Sequence, residues 1–370
     1  MIDDDLTRKL SEAGVDIGAM GIQWGKRPDK LPTCSIQDRD LRLLRFLHDF
    51  NYASTSTLAA MFWGSYGSAV RERLKLLHDV GFIDKLRPRV GRTQGAPEWV
   101  YRLTLRGWQL LRDHGEPADR EAFKLAKLTS IAYVEHDVQV AALMAQIAAR
   151  AAAHVGKTGP LIDAAPFELL GPRSGTIDPR VEKRAPDASP ASDLGGRYVD
   201  LGTAHPGVLK PDATMIGVDA QGNRTAVMFE FDRTGRPSKQ VERLRRYDWF
   251  LTVGWRDSRY AYLDIEPAIL LVSADERHVL AMVRAAESNL TAHIDARYGF
   301  STPEYPGREQ VAFTSLRRLA TADGHIAQAM SGCEVAGRPS SPTSHIVTAF
   351  PCDRLFMSRC CLGARHMRSS

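Results

Sequence analysis

The sequence predicts a mixed α+β and α/β chain, with a small helix-and-hairpin domain near the N-terminus followed by a larger domain of alternating strands and helices. Three observations lead there. Apolar residues recur at helical spacing between Asp38 and Val80. Two short strand-like runs, Phe82–Leu86 and Trp99–Leu103, follow at once, and from Leu209 onward strand-like and helical runs alternate. At 370 residues the chain exceeds what one core ordinarily supports, so two domains are expected.

Composition places the boundaries. Residues 1–33 carry little periodicity and read as a loose arm. Residues 34–115 form the first domain and 120–325 the second, which is interrupted at 171–207 by a flexible loop dense in Pro, Gly, Ser and Asp. Residues 326–370 turn to Ser, Pro, Arg and Cys and read as a disordered tail. An Ala-rich helical stretch from about Ala126 to Val155 falls at the start of the second range and is a candidate link between the two domains.

Several classes are excluded. No run approaches the ~18 apolar residues that span a bilayer, so no membrane role is expected. The acidic start lacks a basic region followed by an apolar one, which argues against secretion and for the cytoplasm. Five cysteines, odd in number and without Cys-x-x-Cys spacing, do not make a disulfide framework. Net charge is only +5, but its placement is uneven. From Arg71 to Arg112 ten Lys/Arg stand against four acids, a local +6 that leaves the remainder near −1. Basic charge concentrated in one short segment suits a surface that meets phosphates.

Within that domain the first helix is expected over Asp38–Phe50 and the second over Ser56–Phe62, entered through Ser54 and Thr55, good capping types. The third runs from Ser68 to Val80 and ends at Gly81, where a left-handed cap fits. On a 100° wheel Val70, Leu74, Leu77 and Val80 form the inward stripe, and Ser68, Arg71 and Lys75 gather opposite. Arg73 lies nearer the apolar edge, where pairing with an acid competes with an outward role. The two strands are joined by a Gly/Pro loop, with Arg87, Arg89 and Arg92 on the hairpin, and a helix over Thr104–Arg112 closes the domain. A basic hairpin directly after a recognition helix is a wing. The first domain therefore reads as a winged helix-turn-helix whose partner is double-stranded DNA.

The sharpest chemical signal lies in the second domain. Pro211-Asp212 opens one strand, and Glu230 and Asp232 share a face of the next while Phe229 and Phe231 take the other. The order helix, strand, strand with Asp, strand with Glu-x-Lys, helix is that of the PD-(D/E)xK nucleases, and this segment resembles it, which implies a restriction-endonuclease-like domain. The resemblance implies Asp212, Glu230 and Asp232 as ligands of Mg²⁺ or Mn²⁺. Asp232 stands where those enzymes carry lysine, so Lys239 or Arg243, from a helix over Ser238–Leu251, would supply the positive charge. Glu135 is the matching upstream carboxylate. The alternative is that Glu230 and Asp232 are paired with arginines and hold structure alone. His136 on its apolar helix reads as packed or partner-bonded, and Tyr247 as packed.

Taken in order, Arg39-Asp40, Arg73-Leu74 before Leu77 and Gly81, Tyr101-Arg102 through Gly107, Glu135-His136-Asp137, Pro211-Asp212, Glu230-Phe231-Asp232 and Arg245-Arg246-Tyr247 resemble the replication-relaxation family over about residues 35–325. The resemblance implies DNA transactions on bacterial plasmids and mobile elements, in replication and DNA relaxation. Two chemistries stay open: a metal-dependent nicking nuclease, or a non-catalytic regulator whose α/β domain mediates dimerisation or binds other replication or mobilisation proteins.

Overall fold

Capping side chains and a few glycines set where the helices of the N-terminal half begin and end. The computed structural model describes residues 22–88, 98–115, 131–177, 208–218, 222–233, 243–244, 246–247, 250–290, 310–316, 319 and 334–335. It comprises two units, Met1–Ala165 and Pro166–Ser370. Both mix helices with a sheet, so the protein is α+β throughout.

The first unit starts with strand β1 (Ile22–Trp24), then helix α1 (Asp38–Phe50), strand β2 (Ala53–Ser54), helix α2 (Thr55–Trp63) and helix α3 (Ser68–Asp79). The Asp40 carboxylate accepts the Gln37 amide at 2.8 Å, closing the first turn of α1. Ser54 caps α2 by accepting from the Thr57 amide at 3.2 Å. Gly81, at φ +88°, takes the left-handed conformation that ends α3.

Strands β3 (Ile83–Pro88) and β4 (Val100–Leu103) follow as an antiparallel hairpin. Helix α4 (Leu105–Asp113) is capped by Thr104, which accepts from the Gly107 amide at 3.1 Å. A Cβ on Gly107 would stand 2.2 Å from the Phe82 carbonyl oxygen, so only glycine lets α4 approach the hairpin this closely. Helices α5 (Ile131–His154) and α6 (Leu161–Ala164) complete the unit. The sheet order is β1-β3-β4-β2, all antiparallel.

The helices close over Leu43, Leu44, Leu47, Leu58, Phe62, Leu74 and Leu77, and the Phe46 ring stacks on Phe50 at 4.5 Å. Charge fixes the rest. Arg73 donates from Nε to the fully buried Asp40 at 2.9 Å and from Nη2 to the Ser35 carbonyl at 2.7 Å, tying α3 to the start of α1. Asp84 accepts from buried Arg102 at 3.1 Å and from Arg27 at 2.6 Å, and Arg27 also reaches the His78 carbonyl at 3.1 Å.

Two features differ from the sequence reading. Residues 22–24 are not part of a loose arm: they pair with β3, because Ile22 and the Trp24 ring, which lies under Arg102 at 4.7 Å, find an apolar and cationic seat there. Helix α5 lies in the first unit, where Val134 joins Ile22, Tyr52, Leu86 and Val100, and Asn51 donates to Asp137 at 3.0 Å. The sequence placed it in the second domain because its apolar pattern alone names no partner.

The second unit holds a six-stranded sheet, order β10-β9-β8-β7-β6-β5. Strands β5 (Phe167–Leu170), β6 (Ala213–Val218) and β7 (Arg224–Asp232) form an antiparallel meander. Strand β8 (Ala268–Ser273) runs parallel to β7 and β9 (Val311–Ser315) parallel to β8, with β10 (Glu334–Val335) antiparallel at the edge. Parallel neighbours need crossovers. Helical residues Arg243, Leu244, Arg246 and Tyr247 and a π-helical turn at Phe250–Gly254 lie on the first, and α7 (Glu276–Leu290) on the second. Leu244, Tyr247 and Phe250 of the first, Val279 and Met282 of the second, and Trp255 and Tyr260 form one core with Met228, Ile269, Leu271 and Phe313 of the sheet.

The strand-like runs expected at Thr225–Asp232 and Ala268–Ser273 thus appear with nearly the expected bounds. Of the loop expected at 171–207, residues 178–207 lie outside the described residues, while Ile177 bridges to Leu209. The tail after 326 also lies outside them, apart from β10.

Two outcomes follow from these packing facts. Asp40→Ala strands the Arg73 guanidinium and is expected to cost about 3 kcal/mol, read as a lower denaturant midpoint at unchanged slope. Burial pushes the Glu266 carboxyl up to about 7, against the pull of Arg256. Its contribution to stability is therefore complete below the ordinary value of 4.5 and is lost as pH rises through about 7. Melting temperature is expected to fall across that window, and Glu266→Gln to flatten the fall.

Candidate nucleic-acid interface and carboxylate cluster

Helix α3 turns Val70, Leu74 and Leu77 inward and leaves Ser68, Arg71 and Lys75 exposed on the opposite face. Arg71 lies over the Tyr66 ring at 5.7 Å. Lys75 reaches forward one turn to Asp79, which also meets the buried His78 ring at 3.1 Å. Burial opposes the Asp79 charge, yet the hydrogen bonds from Lys75 and His78 hold its carboxyl below the usual range. Burial lowers His78 below its ordinary value.

Arg73, named with these residues from the sequence, is turned away from them onto Asp40, and its side chain is only 14% exposed. The wheel placed it at the apolar edge, and a buried acid was there to meet it.

On the hairpin, Arg87 donates to the Gln23 side chain at 3.0 Å and lies over the half-buried Trp99 ring at 4.4 Å. Lys85 shares that ring at 5.2 Å. Lys85, Trp99 and Tyr66 were not named from the sequence. A cation paired across a hairpin with an aromatic was the signal that could have found them. Arg89 and Arg92 lie outside the described residues.

In the second unit Asp212 precedes β6, and its Oδ2 accepts the Phe231 amide at 2.7 Å. Its own amide donates to the Phe229 carbonyl at 2.9 Å, so Asp212 continues the β6–β7 pairing. Glu230 and Asp232 both lie buried near the end of β7, at 3% and 6% exposure. The Glu230 Oε1 accepts from the Tyr247 hydroxyl at 2.5 Å, and Oε2 meets Arg243 Nη1 at 2.9 Å.

Burial opposes charge on Arg243. The fields of Glu230 first, then Asp212, Tyr247 and Asp232, nonetheless hold its pKa above the ordinary value. Tyr247 is pushed well above its ordinary value by burial and by the Glu230 charge it donates to. A fully buried phenol in that state is a hydrogen-bond donor and not a nucleophile.

This arrangement does not fit the metal site expected at Asp212, Glu230 and Asp232. Among the described residues no group of three or more His, Cys, Asp or Glu side chains could hold a metal ion. Glu230 spends one oxygen on a phenol and faces a guanidinium with the other. Arg243, expected to stabilise charge on a reacting phosphate, is instead turned onto Glu230. Lys239 lies outside the described residues. Glu135 belongs to the first unit, on α5, and neighbouring His136 is bonded to Asp137 at 3.2 Å. No helix among the described residues is long and apolar enough to cross a membrane.

Fold and sites together define a two-unit α+β protein with an exposed basic helix face in one unit and an arginine-filled carboxylate cluster in the other. The chain belongs to the replication-relaxation family, whose model matches residues 44–262, from within α1 to Tyr262. That span contains both the α3 face and the carboxylates. No curated protein and no solved structure matches the chain.

Two substitutions probe the cluster. Tyr247→Phe removes a hydrogen bond to a buried anion and is expected to cost about 2 kcal/mol. Glu230→Gln leaves Arg243 facing a neutral amide and is expected to cost more, about 3 kcal/mol. Denaturant unfolding of the two variants and the wild type checks the order.

Proposed function

We propose that this protein binds double-stranded DNA through a winged helix-turn-helix at residues 34–115 and acts in the replication or relaxation of plasmid or mobile-element DNA in the bacterial cytoplasm. The observation that carries this reading is the outer face of α3. Ser68, Arg71 and Lys75 stand exposed on the third of the three helices that precede the hairpin, and the hairpin bears Lys85 and Arg87. That order suits a recognition helix in the major groove with a wing on the backbone. Family membership supports the replication and relaxation half of the proposal.

For the second unit, the β5–β6–β7 meander followed by a crossover to parallel β8, with Asp212 and Glu230 at strand ends, favours a PD-(D/E)xK-like architecture. The Arg243–Glu230 pair favours the non-catalytic reading over Mg²⁺-dependent nicking. In this reading the α/β unit serves as the half that meets protein partners of replication or mobilisation.

Arg71→Ala with Lys75→Ala is expected to weaken duplex binding, measured by fluorescence anisotropy. The slope of log affinity against log salt should become shallower by about 2, one counterion per lost phosphate contact. Unchanged affinity and slope would reject this face as the interface. Supercoiled plasmid incubated with the protein and Mg²⁺ or Mn²⁺ is expected to show no nicking above an Asp212→Ala/Glu230→Ala control.

A further inference from the structure

Two aromatic rings of the first unit reach the surface with cations laid over them. Tyr66, on the turn between α2 and α3, is 57% exposed and carries the Arg71 guanidinium 5.7 Å from its centre. Beside it, a Cβ on Gly67 would meet nothing within 4 Å, so the backbone leading into α3 leaves room for an incoming group. Lys75 and Arg73 are engaged by Asp79 and Asp40, whereas Arg71 makes no ion pair among the described residues.

Trp99 repeats the arrangement on the hairpin. Leu86 pairs with Val100, which brings Arg87 opposite Trp99 one step further on. The Arg87 guanidinium lies 4.4 Å and the Lys85 ammonium 5.2 Å from the centre of the half-buried ring. The Trp99 carbonyl accepts the Thr55 amide at 3.0 Å and the Thr55 hydroxyl at 3.1 Å, so the residue is mounted on the start of α2.

Charge complementarity decides what such a surface takes. An apolar protein partner would strip the rings of their cations and leave those charges without an acceptor. Nucleic acid supplies both groups together, a phosphate for the cation and a base for the ring. A perfect duplex offers only the first. Its bases are stacked on one another and show their edges, and a ring can lie only on the face of a base that has left the stack. A guanidinium drawn onto a phosphate uncovers the ring it leaves.

We infer that Tyr66 and Trp99 are stacking platforms for unpaired bases, so that the DNA this unit prefers is duplex with its strands locally parted. The inference rests on DNA binding by the first unit and adds which form of DNA is bound.

Fluorescence anisotropy with the full chain compares a labelled perfect duplex with the same duplex carrying a central run of mismatches. Wild type is expected to bind the mismatched duplex about 10-fold more tightly, the size of one ring–base stack. Tyr66→Ala is expected to lose most of that preference while binding the perfect duplex as wild type does. Tyr66→Phe, which keeps the ring, should retain it. Trp99→Leu, which keeps apolar bulk without an aromatic face, should also narrow it, and Trp99→Tyr should not. A second measurement needs no variant: with iodouracil in the mismatched run, irradiation of wild type is expected to crosslink the base to Tyr66 or Trp99, mapped by mass spectrometry.

Equal wild-type affinity for the two probes overturns the inference. So does a Tyr66→Ala that weakens both alike, since the ring then only supports Arg71, and so do crosslinks confined to other residues. Arg71→Ala with Lys75→Ala is expected to lower both affinities together and leave their ratio. Failure of the α3 face as the interface is thus read from the perfect duplex, and failure of the rings from the ratio.

Discussion

A carboxylate removed from water must be given a cation or hydrogen-bond donors, and this protein answers that demand with arginine at three places. Asp40, fully buried, is held by Arg73; Asp84 is held by Arg102 and Arg27; Glu230 is held by Arg243. Each pair joins two different elements of the fold. Asp40 and Arg73 lock the first helix to the third, Asp84 gathers the hairpin and the segment after β1, and Glu230 fastens a crossover helix to the central sheet. Such pairs add modest net stability relative to an apolar core, but they cost several kcal/mol when half is removed, so they specify geometry more than they strengthen it. The orientation of α3, and with it the outward face of Arg71 and Lys75, depends on Arg73 being occupied elsewhere.

Much of this was legible in the sequence, and its limits have a physical cause. The helix of Asp38–Phe50, the inward stripe Val70, Leu74 and Leu77, and the turn at Gly81 follow from local periodicity and local φ/ψ preference, which a short window contains. Strand β1 could not be read that way. Three residues pair with a strand more than sixty positions later, and their stability comes from Trp24 lying against Arg102. The same limit governed α5, whose apolar face matches any core until Asn51 and Asp137 choose one. The carboxylates were found because strand alternation places Glu230 and Asp232 on one face. That an arginine thirteen positions on would occupy Glu230 depends on how the crossover packs, and no spacing rule carries that.

The segments on which the family resemblance rests acquire physical roles here. Arg39-Asp40 and Arg73-Leu74 contain the two halves of the α1–α3 lock. Tyr101-Arg102 through Gly107 contains the arginine that reads Asp84 and the glycine that lets α4 touch Phe82. Glu135-His136-Asp137 contains the acceptor for Asn51, a residue at the end of α1 with φ +65°. In the first unit, then, the recognisable stretches mostly mark scaffold joints, while the residues that would meet DNA lie between them. In the second unit the stretches around Asp212, Glu230 and Tyr247 mark the carboxylate cluster itself.

Strand β8 carries a consequence for how the protein is made. Its six residues, Ala268 to Ser273, are buried on both faces and bear no charge or proline, and both of its neighbours run parallel to it. Parallel pairing across two crossovers comes late in folding, because the chain entropy is lost before the hydrogen bonds form. Until β7 and β9 arrive, an uncharged β-prone hexamer is open to the same segment of other nascent chains. Slow synthesis or low temperature, which lower the concentration of such half-folded chains, are thus the conditions under which this sheet closes on itself.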